Sequence, residues 1–201
     1  IGFRGGEPFL SATNFAVLQR LIDAQNTACW LNFTTNGSVR PTARQLKLLK
    51  QFISVDLCFS IDGTGSVFEY MRYPLKWQTI LDNINWARDN EFTVSVSYTL
   101  SNLNVFYHSQ TIDFFQENDL PYFINPVNYP KHFMPNSLPQ QFKQKIIDQN
   151  PDTENFLGTH NLDDDVNWSK CLSEISRQDN LKGIDIKNYL PELSEIFYSH
   201  T

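Results

Sequence analysis

Cysteine is scarce in this sequence, and the few present do not group. Cys29, Cys58 and Cys171 are far apart and odd in number, so neither a disulfide framework nor a Cys-x-x-Cys metal site is written here. Lysine and arginine form no block, and 16 of them face 22 aspartates and glutamates for a formal net charge of −6. That balance argues against a nucleic-acid backbone or an anionic membrane as the main partner. No apolar run approaches the roughly 18 residues that span a bilayer, and no signal-peptide core precedes the fold. A Ser-His-Asp order, a P-loop and zinc-ligand spacings are also missing. The four histidines, His108, His132, His160 and His200, share no spacing with carboxylates or thiols and read as surface or ordinary packing residues. These absences leave a soluble cytoplasmic protein as the expectation, with no metal ligated by this chain.

What is present is a globular composition, 41% hydrophobic and 14% aromatic over 201 residues, enough for one sizeable core. Strand patterns fall at about 1–4, 27–34, 54–61, 91–100 and 121–125, with helical patterns between them. Ser11 is placed to cap a helix over 13–24 that carries Phe15, Leu18, Leu21 and Ile22 on one face. A second helix, 41–51, starts with Pro41 in its first turn. Trp77, Ile80, Leu81, Ile84 and Ala87 mark a third, and Ile112 and Phe115 a fourth over 105–118. Crossovers of this length force parallel pairing, so the class is α/β. Cys29 and Cys58 lie in strand patterns, where small buried thiols are common.

The strands alternate in a way that fully buried parallel strands do not. Val94, Val96, Tyr98 and Leu100 share one face and Thr93, Ser95, Ser97 and Thr99 the other; Val55, Leu57, Phe59 and Ile61 alternate with Ser54, Asp56, Cys58, Ser60 and Asp62. An inner face rich in hydroxyls costs about 1 to 3 kcal/mol for each unpaired buried group, which a barrel packed with aliphatics does not tolerate. A wide or partly open barrel with a wet lumen does. An antiparallel sheet with one solvated face gives the same alternation, but helices between every pair of strands count against it.

Beyond Pro126 the composition shifts. Four prolines, Pro126, Pro130, Pro135 and Pro139, punctuate a loop, and a helix is expected over 140–149. Asp163, Asp164 and Asp165 read as a solvated loop or helix start. Two helices near 166–178 and 189–199 offer Trp168, Leu172 and Ile175, then Leu190, Leu193, Ile196 and Phe197, for docking onto the barrel. The expected division is a partial barrel over 1–130 and a helical extension over 131–201, not an independent domain.

Three turns that follow strands carry the functional signal. Gly5-Gly6-Glu7-Pro8 ends the first strand, Thr34-Thr35-Asn36-Gly37 the second, and Phe59-Ser60-Ile61-Asp62-Gly63 the third, with Arg72 downstream. Paired glycines let backbone groups approach a ligand, and Glu7 is an acceptor for an ammonium or hydroxyl. Parallel barrels place ligands at the carboxyl ends of their strands, where all three turns fall. In order and spacing these motifs resemble the radical S-adenosylmethionine superfamily, in particular the peptide- and protein-modifying SPASM/twitch-like branch, over roughly residues 1 to 130.

The resemblance implies a TIM-like (β/α)6 barrel, here partial and missing its first β/α unit. It implies that Gly5, Gly6 and Glu7 hold the methionyl amino group of S-adenosylmethionine, and that Ser60 and Asp62 lie near its ribose and carboxylate. Arg72 would pair with that carboxylate, Asn36 would flank the chamber, and Ser97 and Thr99 would face ribose or substrate hydroxyls. It implies reductive cleavage of the cofactor at a 4Fe–4S cluster, giving a 5′-deoxyadenosyl radical that modifies a peptide or protein substrate. The cluster's three cysteines belong upstream of the Gly-Gly-Glu-Pro strand in that family, and this sequence has no such loop. The expectation is therefore an enzyme fragment, inactive as it stands. Two alternatives are a non-catalytic, degenerate barrel serving as a binding or scaffold module and a cofactor-free barrel enzyme, for which no acid–base pair can be assigned. Without the family, Glu7 would cap the helix after Ser11, Asp62-Gly63 would be a plain turn, and Arg72 a surface residue.

Overall fold

The computed structural model describes residues 1–158 and 164–198. His160, His200 and Asp163 lie outside the described residues, as do the side chains of Asp164, Asp165, Ile196 and Phe197. The described residues form a sheet of five strands in the order β1 (Gly2–Phe3), β2 (Trp30–Thr35), β3 (Ser54–Ser60), β4 (Thr93–Leu100) and β5 (Tyr122–Pro126). β1 to β4 pair in parallel, with Asn32 opposite Gly2 and Asp56, and Ser60 opposite Ser97. The helices α1 (Ala12–Asp23), α2 (Ala43–Leu49), α3 (Gly65–Met71), α4 (Trp77–Asp89) and α5 (His108–Glu117) supply the crossovers. The class is α/β with sequential strand order, as the alternation predicted.

Two compact units divide the chain, one built from Ile1–Ile61, Leu75–Ser97 and Asp119–Phe123, the other from Asp62–Pro74, Tyr98–Asn118 and Ile124 onward. In the first, the apolar face of the strands is buried and organised around Phe33. Its ring is fully covered, stacked on Phe3 at 4.6 Å and Phe9 at 5.3 Å, with Phe15 of α1 at 6.5 Å. Burying a ring of this size contributes about 1.5–3 kcal/mol. α1 begins at Ser11, whose Oγ accepts from Asn14 N at 3.4 Å. α2 starts two residues later than expected. Pro41 lies before it, and Thr42 is the cap of a reciprocal capping box with Gln45.

In the second unit the helices α6 (Gln140–Gln149), α7 (Glu154–Leu157), α8 (Asp164–Lys182) and α9 (Pro191–Tyr198) follow the proline-punctuated loop. Trp168 of α8 packs on Phe142 of α6 at 5.6 Å, and Cys171, Ile175, Leu190 and Leu193 are buried, whereas Leu172 is half-buried. Tyr70 of α3 lies 5.9 Å from Tyr189 and donates to Asp179 at 2.9 Å. Among the described residues no helix is long and apolar enough to cross a membrane.

Candidate functional site

The polar face of the sheet is half-buried and internally hydrogen-bonded. Asn32 Nδ2 donates to Asp56 Oδ2 at 2.5 Å, and Ser95 Oγ donates to both Asp56 oxygens at 3.1 Å, so one carboxylate ties β2, β3 and β4 together. This pairs Asn32, Asp56 and Ser95 on the polar face that the alternation left in question. Further along the same face Ser60 and Ser97 stand opposite each other at the carboxyl ends of β3 and β4, both half-buried. Cys58 lies between these groups; burial raises its thiol pKa even though Ser95 hydrogen-bonds to it.

At the carboxyl ends of β1 and β2 the structure brings Glu7, Thr35 and Asn36 into one clasp. Gly5 and Gly6 take φ values of 86° and 59° and are exposed, which turns the chain so that Glu7 re-enters it. The Glu7 carboxylate accepts from Thr35 Oγ1 at 2.9 Å on both oxygens and from Asn36 N at 3.0 Å. It also accepts from Phe9 N at 3.3 Å, so the turn that it caps is the short 3-10 turn Pro8–Leu10, while Ser11 alone caps α1. Thr35 Oγ1 in turn accepts from Gly37 N at 2.9 Å, and Asn36 Oδ1 from Ser38 N at 2.8 Å. From α4, Asn83 Nδ2 donates to Gly37 O at 2.6 Å, and Arg40 Nε donates to Asn83 Oδ1 at 2.5 Å. The Thr35 hydroxyl, Asn83 and Arg40 were not singled out from the sequence; the Thr-Thr-Asn-Gly turn was the available signal for Thr35, and no local pattern pointed to the other two.

In the second unit Asp62, Arg72 and Thr99 come together. Arg72 Nη2 donates to Asp62 Oδ1 at 3.1 Å, and its Nε lies 2.8 Å from Oδ2 as an ion pair that lacks hydrogen-bond geometry. Thr99 N donates to Asp62 Oδ1 at 3.3 Å. Asn104, absent from the sequence reading, donates from Nδ2 to Asp62 O at 2.7 Å and to Thr99 O at 2.8 Å. Asp62 is 8% exposed and Arg72 half-buried, so Arg72 is not a surface residue; its guanidinium is already matched to a carboxylate of its own chain.

The histidines within the described residues are packing residues. His108 is buried between Tyr98 and Phe156, and burial lowers its pKa. His132 lies on Phe133, 4.5 Å between ring centres. All three cysteines are free, Cys58 and Cys171 buried and Cys29 half-buried. Among the described residues no three of His, Cys, Asp or Glu are grouped to hold a metal ion.

No family model matches the sequence, and no curated protein matches it. Solved structures do. Native anSMEcpe with bound AdoMet and a Kp18Cys peptide superposes with a TM-score of 0.53 at 15% identity, covering 76% of this chain and 46% of that one. Native anSMEcpe with bound AdoMet alone gives 0.51 at 16% identity, with the same coverage. Streptococcus suis SuiB bound to S-adenosylmethionine gives 0.51 at 13% identity, covering 75% of this chain and 35% of that one. The chain shares their fold. It spans less than half the length of either anSMEcpe or SuiB, and a five-stranded, mostly parallel sheet with helical crossovers is consistent with part of a TIM-like barrel.

Proposed function

We propose that residues 1–130 are the cofactor-binding part of a radical S-adenosylmethionine enzyme barrel, with residues 131–201 as its helical extension and a peptide or protein as substrate. The observation that carries the reading is the clasp at the carboxyl ends of β1 and β2, where Glu7, Thr35 and Asn36 join two family-like turns through three short hydrogen bonds. The shared fold with two proteins whose structures hold AdoMet supports it, as does the peptide bound to anSMEcpe.

The residues of the first unit fit S-adenosylmethionine. Gly5 and Gly6 are exposed, and a Cβ built on either meets nothing within 4 Å, so the backbone there is open to a ligand amine. The hydroxyls of Ser60 and Ser97 lie half-buried on the polar face, suited to a ribose. Glu7 and Asn36 act by shaping the turns, since Glu7 accepts from Thr35, Asn36 and Phe9. In the second unit Asp62 and Arg72 hold each other, so their part is to set the loop after β3. The donors among the described residues do not fit a 4Fe–4S cluster. In the enzymes that the sequence resembles, bound S-adenosylmethionine supplies the 5′-deoxyadenosyl group; this chain's contribution is to bind and orient it and to exclude water.

Titration calorimetry of the 201-residue chain with S-adenosylmethionine tests the reading. Saturable binding is expected, and the double variant Ser60→Val with Ser97→Val is expected to weaken it at least tenfold while circular dichroism stays native. Absence of saturable binding to the wild-type chain would overturn the proposal.

A further inference from the structure

We propose that the second unit carries a pocket for a short apolar carboxylate, such as the free C-terminal residue of a peptide. The inference stands apart from the cofactor reading and rests on a cavity of about 280 Å³. Leu103, Val127, Phe133 and Ile175 form its apolar wall, with Thr99 at the end of β4 and Lys182 in the last turn of α8 as polar members. Small-molecule sites run from about 300 to 1,000 Å³, so this volume suits a single amino-acid residue and is small for a nucleotide.

The polar groups of the lining select the ligand by what they leave unused. Ser101 Oγ donates to Asn104 Oδ1 and accepts from Leu103 N, both at 3.2 Å. Gln178 Nε2 donates to Glu174 Oε1 at 2.8 Å, and Tyr70 donates to Asp179 Oδ1 at 2.9 Å. The nearby Asp179 carboxylate is committed on its other oxygen as well, accepting from Ile186 N at 2.8 Å. Lys182, half-buried, makes no hydrogen bond or ion pair among the described residues. An ammonium beside an apolar cavity and in no ion pair among the described residues favours an anion and repels a cation. A single lysine, without an arginine fork, suits one negative charge. An apolar body with one carboxylate meets both demands.

Calorimetry with N-acetyl-L-leucine, its uncharged amide, hexanoate and adenosine decides the matter. N-acetyl-L-leucine is expected to bind at least tenfold more tightly than the amide, and Lys182→Met to abolish that difference by weakening only the acid. Val127→Trp, which fills the cavity, is expected to remove binding of both. Binding of N-acetyl-L-leucine without hexanoate would assign the pocket to peptide C-termini, and binding of both to apolar acids in general. Equal binding of acid and amide, no saturation by either acid, or competition by adenosine would each overturn the proposal. The comparison of acid with amide on the wild-type chain holds even if a variant fails to fold.

Discussion

Single residues in the first unit are constrained by geometry that their neighbours impose. Gly37 sits at φ 73°, where a Cβ would lie 2.9 Å from Phe59 and 3.1 Å from Ile80. Gly37→Ala is therefore expected to lower stability by about 1–3 kcal/mol in urea denaturation, from left-handed strain and contact together. Glu7 is similarly committed. Thr35 is 1% exposed, and Glu7→Ala leaves its hydroxyl and the Asn36 amide without their acceptor, at a cost of about 1–3 kcal/mol read in the same assay. The thiols give a chemical test of burial. Burial pushes the Cys171 thiol up to about 12 against the hydrogen bond that Asn102 Nδ2 donates to its sulfur at 3.4 Å, and burial raises Cys58 as well. At pH 8 iodoacetamide is expected to alkylate Cys29 alone in the native protein and all three cysteines in denaturant. Intact-protein mass spectrometry reads the count; a second native adduct would contradict the burial. The motif residues were legible from their types, but Arg72 shows the limit of that reading. Its charge announced a carboxylate partner, and which carboxylate it meets depends on the fold, which sets against it Asp62, ten residues earlier and two past the end of β3.

Elements were readable where periodicity ran long. α4 lies where its apolar spacing put it and α6 over the expected 140–149, whereas α3, only seven residues from Gly65 to Met71, carries too little pattern to separate from a loop. α2 was misplaced at its start because Pro41 suggested a first turn, although Thr42-x-x-Gln45 already spells the box that caps it. Thr42→Ala is expected to cost about 1 kcal/mol in thermal or urea unfolding. At the start of α5 His108 couples the element to pH. Its folded pKa lies below the ordinary 6.5 because burial disfavours the imidazolium. The unfolded chain therefore binds a proton that the folded chain refuses, and stability falls as pH drops through about 6.5 toward the folded value. The melting temperature is expected to fall between pH 7.5 and 5.5 for this reason, and His108→Gln to flatten that slope; an unchanged slope would remove His108 as its source.

On the scale of the whole molecule, composition and alternation determined the class. Parallel α/β follows from helices between strands, and the two-faced strands follow from a sheet that buries Val, Leu and Phe on one side and leaves hydroxyls on the other. The turns after the strands determined which family the chain resembles, since Gly-Gly-Glu-Pro, Thr-Asn-Gly and Ser-Ile-Asp-Gly are local. Anaerobic incubation of the chain with ferrous iron and sulfide is expected to yield no absorbance of a bound 4Fe–4S cluster, because no three of His, Cys, Asp or Glu are grouped to hold a metal among the described residues. Only the tertiary structure decided that the Glu7 carboxylate is satisfied by Thr35 and Asn36, that Asp56 links Asn32 to Ser95, and that Lys182 stands beside an apolar cavity. The physical reason is range. Periodicity, capping and turn chemistry act over a few residues and can be read along the chain, while the hydrogen bonds of the polar face join residues 24 to 39 positions apart and the cavity gathers residues further apart still, and their meeting depends on the register of strands and the packing of helices.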